Sequence, residues 1–305
     1  MAVDRVLLLG AAGQLGHELA ARFQHPHYEL TALTRRELDL SELDALKRVV
    51  DQLKPHWIIN AAAYTAVDKA ELEPQLAHTL NAELPGMLAE EAKLTGAALV
   101  HYSSDYVFNG LATRPYLETD ATDPQSVYGR SKRDGDLAVH ASGARHLIFR
   151  SSWVVGAHGH NFLKTMLRLA MERDSLRVVA DQKGVPTAAA WLADITLAAM
   201  RLSDEQGLMG LFHATPTGQT HWQAYAQHVL EQALQLGWRL KATPQKVEPI
   251  TTAQYPLPAV RPAYGLLDSS LLAQILKLPW PNWQTGVDKV MRQLAEIRED
   301  GIPSE

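Results

Sequence analysis

Cysteine is absent from all 305 residues. That removes disulfide frameworks, thiolate metal sites and cysteine nucleophiles together, and it fits a reducing cytoplasm. Positive charge is not in excess either. The chain sets 29 Lys and Arg against 34 Asp and Glu, a formal net charge of -5, which offers nucleic acid or an anionic membrane no electrostatic grip. Long hydrophobic runs are also missing: no apolar stretch approaches the roughly 18 residues of a membrane span. The short run Val6–Leu9 stops at glycine instead of extending to a small-residue cleavage site, so no signal peptide is expected. The expectation is a cytoplasmic protein whose partners are neither nucleic acid nor membrane. What the chain does have is material for a core, with 46% of its residues hydrophobic. A length of 305 exceeds what one core usually organises, so one large domain or two unequal ones are expected.

Apolar runs at Val6–Leu9, Leu30–Leu33, Trp57–Ile59, Ala97–Tyr102 and His146–Phe149 are too short for helices and read as buried strands. Between them apolar residues recur every three or four positions, as in Leu43, Leu46, Val49, Val50 and Leu53. Ser41 and Asp44 read as a capping box for that helix and Pro55 as its stop. A strand at Leu176–Ala180 and a helix near Trp191–Leu202 prolong the alternation. The pattern predicts an α/β fold with a Rossmann-like, doubly wound parallel sheet of about six or seven strands. Beyond about residue 205 prolines and tryptophans become frequent and the helix Trp222–Leu236 stands out, which points to a smaller α/β C-terminal domain. The expected division gives 1–155 plus about 173–208 to the nucleotide-binding domain, and about 156–172 plus 209–305 mainly to the smaller one.

Directly after the first strand come Gly10, Ala11, Ala12, Gly13, Gln14, Leu15 and Gly16, opening a helix that runs to about Phe23. Glycines at such a turn let the backbone approach a pyrophosphate, and the helix N-terminus offers it unpaired N–H groups and the positive end of a dipole. The spacing is GxxGxxG, the variant associated with short-chain dehydrogenases/reductases. Where an acid would bind the ribose 2′-hydroxyl of NAD, the second strand ends in Thr34, Arg35 and Arg36. An arginine there pairs with a 2′-phosphate, so NADPH is favoured, with NADH possible as a second donor. Asp39 and Leu40 are placed to flank the adenine. The third strand ends in Asn60, Ala61, Ala62, Ala63, Tyr64 and Thr65, whose small residues allow close passage of the cofactor.

Tyr128 and Lys132 are four residues apart at the start of a helical segment, hence on one face. Reduction of a ketone by hydride needs a proton for the nascent alkoxide. A tyrosine supplies it once a neighbouring ammonium draws its pKa down from near 10. The fourth strand ends in Ser103, Ser104, Asp105 and Tyr106, beyond the carboxyl edge of the sheet where such folds bind ligands. Ser104 is the candidate hydrogen-bond donor to the substrate carbonyl oxygen.

The assembled residues resemble the dTDP-4-dehydrorhamnose reductase family, within the extended short-chain dehydrogenases/reductases. The resemblance rests on GAAGQLG (10–16), INAAAYTAVDKAE (59–71), HYSSDYVFNG (101–110), VYGRSK (127–132), FRSSWVVG (149–156), NFLKTMLRLA (161–170) and DQKGVPT (181–187). It implies NAD(P)H-dependent reduction of the 4-keto group of dTDP-4-dehydro-β-L-rhamnose to dTDP-β-L-rhamnose, a precursor of cell-surface polysaccharide. It also implies a second domain that binds the sugar nucleotide. Tyr128 matches the family's proton donor, Lys132 its partner lysine, and Ser104 a position often held by threonine. Ser104, Asp105, Tyr106 and Trp153 fall where the sugar nucleotide is contacted, Ala63, Tyr64 and Thr65 in a cofactor-contacting loop. Arg261 matches a recurrent Arg-Pro, after which Gly265 replaces a frequent serine.

Some members dimerise through magnesium held by two acids. Glu18 fits the first and Ala190 stands where the second would be, which argues against a metal-bridged dimer and leaves monomer or homodimer. No metal ligand is assigned; the histidines of His158-Gly-His160 and His25-Pro-His27 lie in loops without a supporting carboxylate. A dehydratase would want a second acid where Tyr106 follows Asp105. An epimerase would hold its cofactor permanently, and a noncatalytic NADP-binding regulatory subunit would not need Ser104, Tyr128 and Lys132 together.

Overall fold

Val6, Leu7, Leu8 and Leu9 are all fully buried, because the strand they form is covered on both faces. Val6 and Leu8 join one apolar cluster, Leu7 and Leu9 the other. That is why the strand reads as an unbroken apolar run and not as an alternation. Each such side chain contributes roughly 1.5–3 kcal/mol of transfer free energy. The computed structural model describes residues 3–299, so the ends of the expected domain ranges, 1–2 and 300–305, lie outside the described residues.

The main elements are β1 (Asp4–Leu9), α1 (Gln14–Arg22), β2 (Tyr28–Leu33), α2 (Leu43–Leu53), β3 (Trp57–Asn60), α3 (Leu84–Thr95), β4 (Ala98–Ser104), α4 (Val127–Ser142), β5 (Arg145–Ser151), α5 (Phe162–Glu172), β6 (Leu176–Val179), α6 (Ala189–Gln206), β7 (Gly210–His213), α7 (Trp222–Gln235), β8 (Val247–Ile250) and α8 (Trp283–Glu299). Six of the strands form one sheet in the order β7-β5-β4-β3-β1-β2, parallel at every pairing. Helices α1 and α6 cover one face, α2, α3 and α4 the other. The order reverses between β1 and β3, which opens a crevice beyond their carboxyl ends.

Two expectations need correction. The strand at Leu176–Val179 does not extend the sheet; it pairs with β8, seventy-odd positions away in sequence, through Leu176 to Val247 and Val179 to Ile250. Leu176 and Val178 pack with α5, α7 and α8 in a separate cluster, while Phe212 of β7 packs into the main sheet. Ser41 and Asp44 form no capping box either. The residue before α2 is Glu42, without a side-chain cap bond, and the Ser41 hydroxyl donates to Asp39 at 2.8 Å. The acceptor two residues back is closer to hand than the helix N-terminus.

Candidate active site

Gly10 has φ +77°, and a Cβ on it would lie 2.7 Å from the Ala62 backbone nitrogen. A Cβ on Gly16 would collide with the Gly10 carbonyl. The first glycine lets the turn pass against the Ala61–Ala62 backbone, the last lets α1 close onto β1. Gly13 caps α1 without a side-chain bond, and the first-turn N–H groups of Gln14, Leu15 and Gly16 have no backbone acceptor among the described residues. A diphosphate fits such a cradle. The Gly10 and Ala11 amides are already committed to the Leu33 carbonyl at 3.0 and 3.2 Å. Ala12 is exposed at the tip of the turn. The Gln14 side chain faces the other way: its oxygen accepts from Gly156 N and Asn161 Nδ2, both at 2.8 Å, and ties α1 to the 154–161 segment.

Arg35 and Arg36 are exposed at the end of β2, and neither side chain has a hydrogen-bond or ion-pair partner among the described residues. Nearby, the Glu37 carboxylate takes the Thr34 N–H at 2.8 Å and the Thr34 hydroxyl, which hold its pKa down. Asp39 is occupied by Ser41, and Leu40 packs half-buried on the sheet cluster.

The loop Ala61–Thr65 is held by a residue that no motif announces. Asn81, fully buried in a π-helical turn at Thr79–Glu83, accepts from Tyr64 N at 2.8 Å and donates to Tyr64 O at 3.0 Å. It also donates to Ser131 Oγ at 3.0 Å, on the helix that carries Tyr128 and Lys132. Tyr64 Oη donates to Glu73 at 2.6 Å, so its phenol, pushed up to about 12, points away from Ala63 and toward the short helix before the π turn. Thr65 is exposed.

Gly129 sets the distance between the catalytic candidates. A Cβ there would collide with the Tyr106 carbonyl, so its absence lets α4 pack onto the 3-10 turn Asp105–Val107. Ser126 starts the helix by accepting from Gly129 N at 3.1 Å. Tyr128 thereby stands edge-on to Tyr106, ring centroids 5.4 Å apart, and beside the Ser104 hydroxyl. Burial pushes the Tyr128 phenol up to about 12; Ser104 opposes the rise, and the carboxyls of Asp105 and Asp136 add to it. The expected depression by Lys132 is therefore not what the packing produces. Lys132 is 2% exposed, donates to the Tyr102 carbonyl at 2.6 Å, and is brought down to about 8 by burial despite Asp136. Asp136 in turn pairs with Arg150 at 3.0 Å.

A cavity of about 580 Å³ is lined by Phe162, Met166, Val178, Gln182, Trp222, Tyr255, Arg177 and Arg261. Part of its lining carried a signal in the sequence, Arg261 in the recurrent Arg-Pro, Phe162 and Met166 inside NFLKTMLRLA and Gln182 inside DQKGVPT, while Val178, Trp222 and Tyr255 carried none. Trp222 donates to Gln182 at 3.1 Å and stacks on Trp153 with centroids 3.6 Å apart. Trp153 adopts φ +45° and lies where a side chain on Gly184 would collide with it. Arg261 stands at the lip toward Tyr106, bidentate to Asp68 at 3.0 and 2.7 Å. The positions weighed for magnesium, Glu18 and Ala190, are joined by a guanidinium: Arg22 binds the Glu18 carboxylate at 2.9 Å, the Ala190 carbonyl at 2.8 Å and Asp194 at 2.6 Å.

Residues 4–296 match the family model described as the RmlD substrate binding domain. The chain is 43% identical over 294 residues to the dTDP-4-dehydrorhamnose reductase of Shigella flexneri, covering 95% of this chain and 97% of that one. To the enzyme of the same name from Escherichia coli K12 it is 42% identical over 294 residues, with the same coverage. The crystal structure of a dTDP-4-dehydrorhamnose reductase from Bacillus anthracis in complex with NADP superposes with a TM-score of 0.87 at 34% identity, over 95% of this chain and 99% of that one. A UDP-glucose 4-epimerase from Thermus thermophilus shares the fold alone, at TM-score 0.78 and 18% identity over 95% and 98% of the two chains.

Proposed function

The chain belongs to the dTDP-4-dehydrorhamnose reductase family, and from that membership we propose how its own residues carry out the reaction. The reaction is reduction of the 4-keto group of dTDP-4-dehydro-β-L-rhamnose to dTDP-β-L-rhamnose by NADPH, in dTDP-rhamnose synthesis. Bound NADPH supplies the hydride. The first-turn amides of α1 hold the diphosphate, Ala61 to Ala63 pass close to the cofactor, and the free guanidinium groups of Arg35 and Arg36 meet the 2′-phosphate, leaving NADH the poorer donor. Asp39 and Leu40 border the adenine.

Ser104 donates a hydrogen bond to the ketone oxygen, and Tyr128 gives it the proton as charge develops there. A phenol held up to about 12 stays protonated until the alkoxide forms. Lys132, anchored on Tyr102, orients the cofactor side of the crevice. The 580 Å³ cavity takes the dTDP moiety, with Trp222, backed by Trp153, offering an apolar face and Arg261 at the lip for the diphosphate, while Asp105 and Tyr106 border the sugar. The observation that carries the reading is that Ser104, at the carboxyl end of β4, stands beside the buried Tyr128 phenol. We place 4–151, α6 and β7 in the nucleotide-binding domain, and α5, β6, α7, β8 and α8 in the sugar-nucleotide domain. The protein acts in the cytoplasm as monomer or homodimer, which light scattering distinguishes. The function is tested by mixing enzyme, NADPH and dTDP-4-dehydrorhamnose: one dTDP-L-rhamnose per NADPH consumed is expected, and no consumption with this ketosugar rejects the reading.

A further inference from the structure

The loop Ala61–Thr65 runs through Ala66 into the short helix Val67–Ala70. Asp68 on that helix spends both carboxylate oxygens on the lip of the cavity. Oδ1 accepts from Ala259 N at 3.2 Å and from Arg261 Nη1 at 3.0 Å, and Oδ2 accepts from Arg261 Nη2 at 2.7 Å. Arg261 Nη1 also donates to the Ala259 carbonyl at 3.1 Å. A guanidinium has five N–H donors. Three are taken by these bonds, and the two left, on Nε and Nη2, have no acceptor among the described residues. They share one edge of the planar group, the fork that pairs bidentately with a phosphate. We propose that Asp68 is a positioning residue of the substrate site, gripping the Nη1–Nη2 end of Arg261 so that the Nε–Nη2 edge is held ready for one phosphate of the sugar nucleotide. The proposal rests on the reading of Arg261 as the diphosphate contact.

Both sides of the contact are themselves held. Ala70, two residues after Asp68, is fully buried, and Glu71 accepts from Val127 N at 2.8 Å, at the first residue of α4. The short helix is thereby tied to the helix that carries Tyr128. On the other side a Cβ on Gly110 would collide with Pro262, so the backbone just after Arg261 lies against that glycine. Arg261 is fixed at its root by this packing and at its tip by Asp68. A free arginine side chain loses much rotational freedom when it grips a ligand. One already held in the binding geometry loses little, and the ligand binds more tightly for it. The Asp68 charge taken alone has the opposite effect, since it repels an anionic ligand. Positioning and plain charge therefore predict opposite signs when that charge is removed.

The test uses the full chain and four proteins: the parent, Asp68→Asn, Arg261→Ala and the double variant. Steady-state kinetics give KM and kcat for dTDP-4-dehydrorhamnose, and calorimetry gives the dissociation constants of dTDP-L-rhamnose and NADPH. Asp68→Asn should raise KM and the dTDP-L-rhamnose constant by about tenfold, with kcat within about threefold and NADPH affinity within about twofold of the parent. Arg261→Ala should raise both constants at least as much. Adding Asp68→Asn to it should raise neither further, because the carboxylate then has no guanidinium to hold. The proposal is overturned where Arg261→Ala raises KM but Asp68→Asn leaves it unchanged or lowers it, as plain charge requires. It is overturned equally where the two effects multiply in the double variant, or where Asp68→Asn weakens NADPH as much as the sugar nucleotide. An unchanged KM in Arg261→Ala would instead reject the diphosphate contact on which the proposal rests.

Discussion

Asn81 lies 3.0 Å from Ser131 across the gap between the π turn and α4, and its two other hydrogen bonds bracket the backbone of Tyr64. One amide therefore couples the cofactor loop to the helix of Tyr128. Asn81→Ala leaves the Tyr64 N–H and C=O without their partner and takes from Ser131 one of its two, so it should cost about 1–3 kcal/mol of stability in denaturant titration. NADPH affinity should fall with it, since the Ala61–Thr65 loop loses its anchor. Unchanged NADPH binding in calorimetry would dissociate the loop from the cofactor.

Replacing Arg35 and Arg36 together with alanine should weaken NADPH by about tenfold or more and leave NADH nearly unchanged, since each contact to a 2′-phosphate is a charge-assisted bond worth about 1.5–3 kcal/mol before solvent screening. The ratio of the two dissociation constants decides the matter. Equal losses for both cofactors would remove these arginines from the 2′-phosphate site.

His213 is fully buried and its pKa is brought down to about 3 by burial, with Arg150 adding to the effect. The unfolded chain takes up a proton near 6.5 and the folded one does not. Stability from this group is complete above about pH 6.5 and is lost as the pH falls toward about 3, about 2 kcal/mol of it by about pH 5. Asp105, raised to about 7, has the opposite slope: its neutral form stabilises the folded state as the pH falls through that value. His213→Gln should therefore make the protein gain stability between about pH 7 and about pH 5, where the parent changes little. Chemical denaturation at the two pH values measures this; identical slopes in both proteins would contradict it.

The central strands were legible because a strand covered on both faces must be apolar throughout, as Val6–Leu9 and Trp57–Ile59 are. The same logic misplaced Leu176–Val179. Its composition is that of a sheet strand, but its partner is the proline-containing Val247–Ile250, whose role depends on a long-range pairing that no local pattern carries. The sixth strand of the sheet, Gly210–His213, is four residues long and begins at a glycine, so it presents no apolar run that stands out. Tyr128 and Lys132 followed from helical spacing, yet what each touches did not. Lys132 reaches Tyr102, and the Tyr128–Ser104 contact depends on Gly129 passing under Tyr106. Asn81 and Trp222 gave no signal, since an asparagine within a helical stretch and a tryptophan at a helix start look structural.

The direct test of the account is Tyr128→Phe, assayed for NADPH binding and for turnover in the same preparation. The phenol oxygen is the proton source and little else, so NADPH affinity should stay within about twofold while kcat falls by about 10²-fold or more, the scale of lost general-acid catalysis. A variant that binds NADPH and still reduces dTDP-4-dehydrorhamnose at near the parent rate would contradict it.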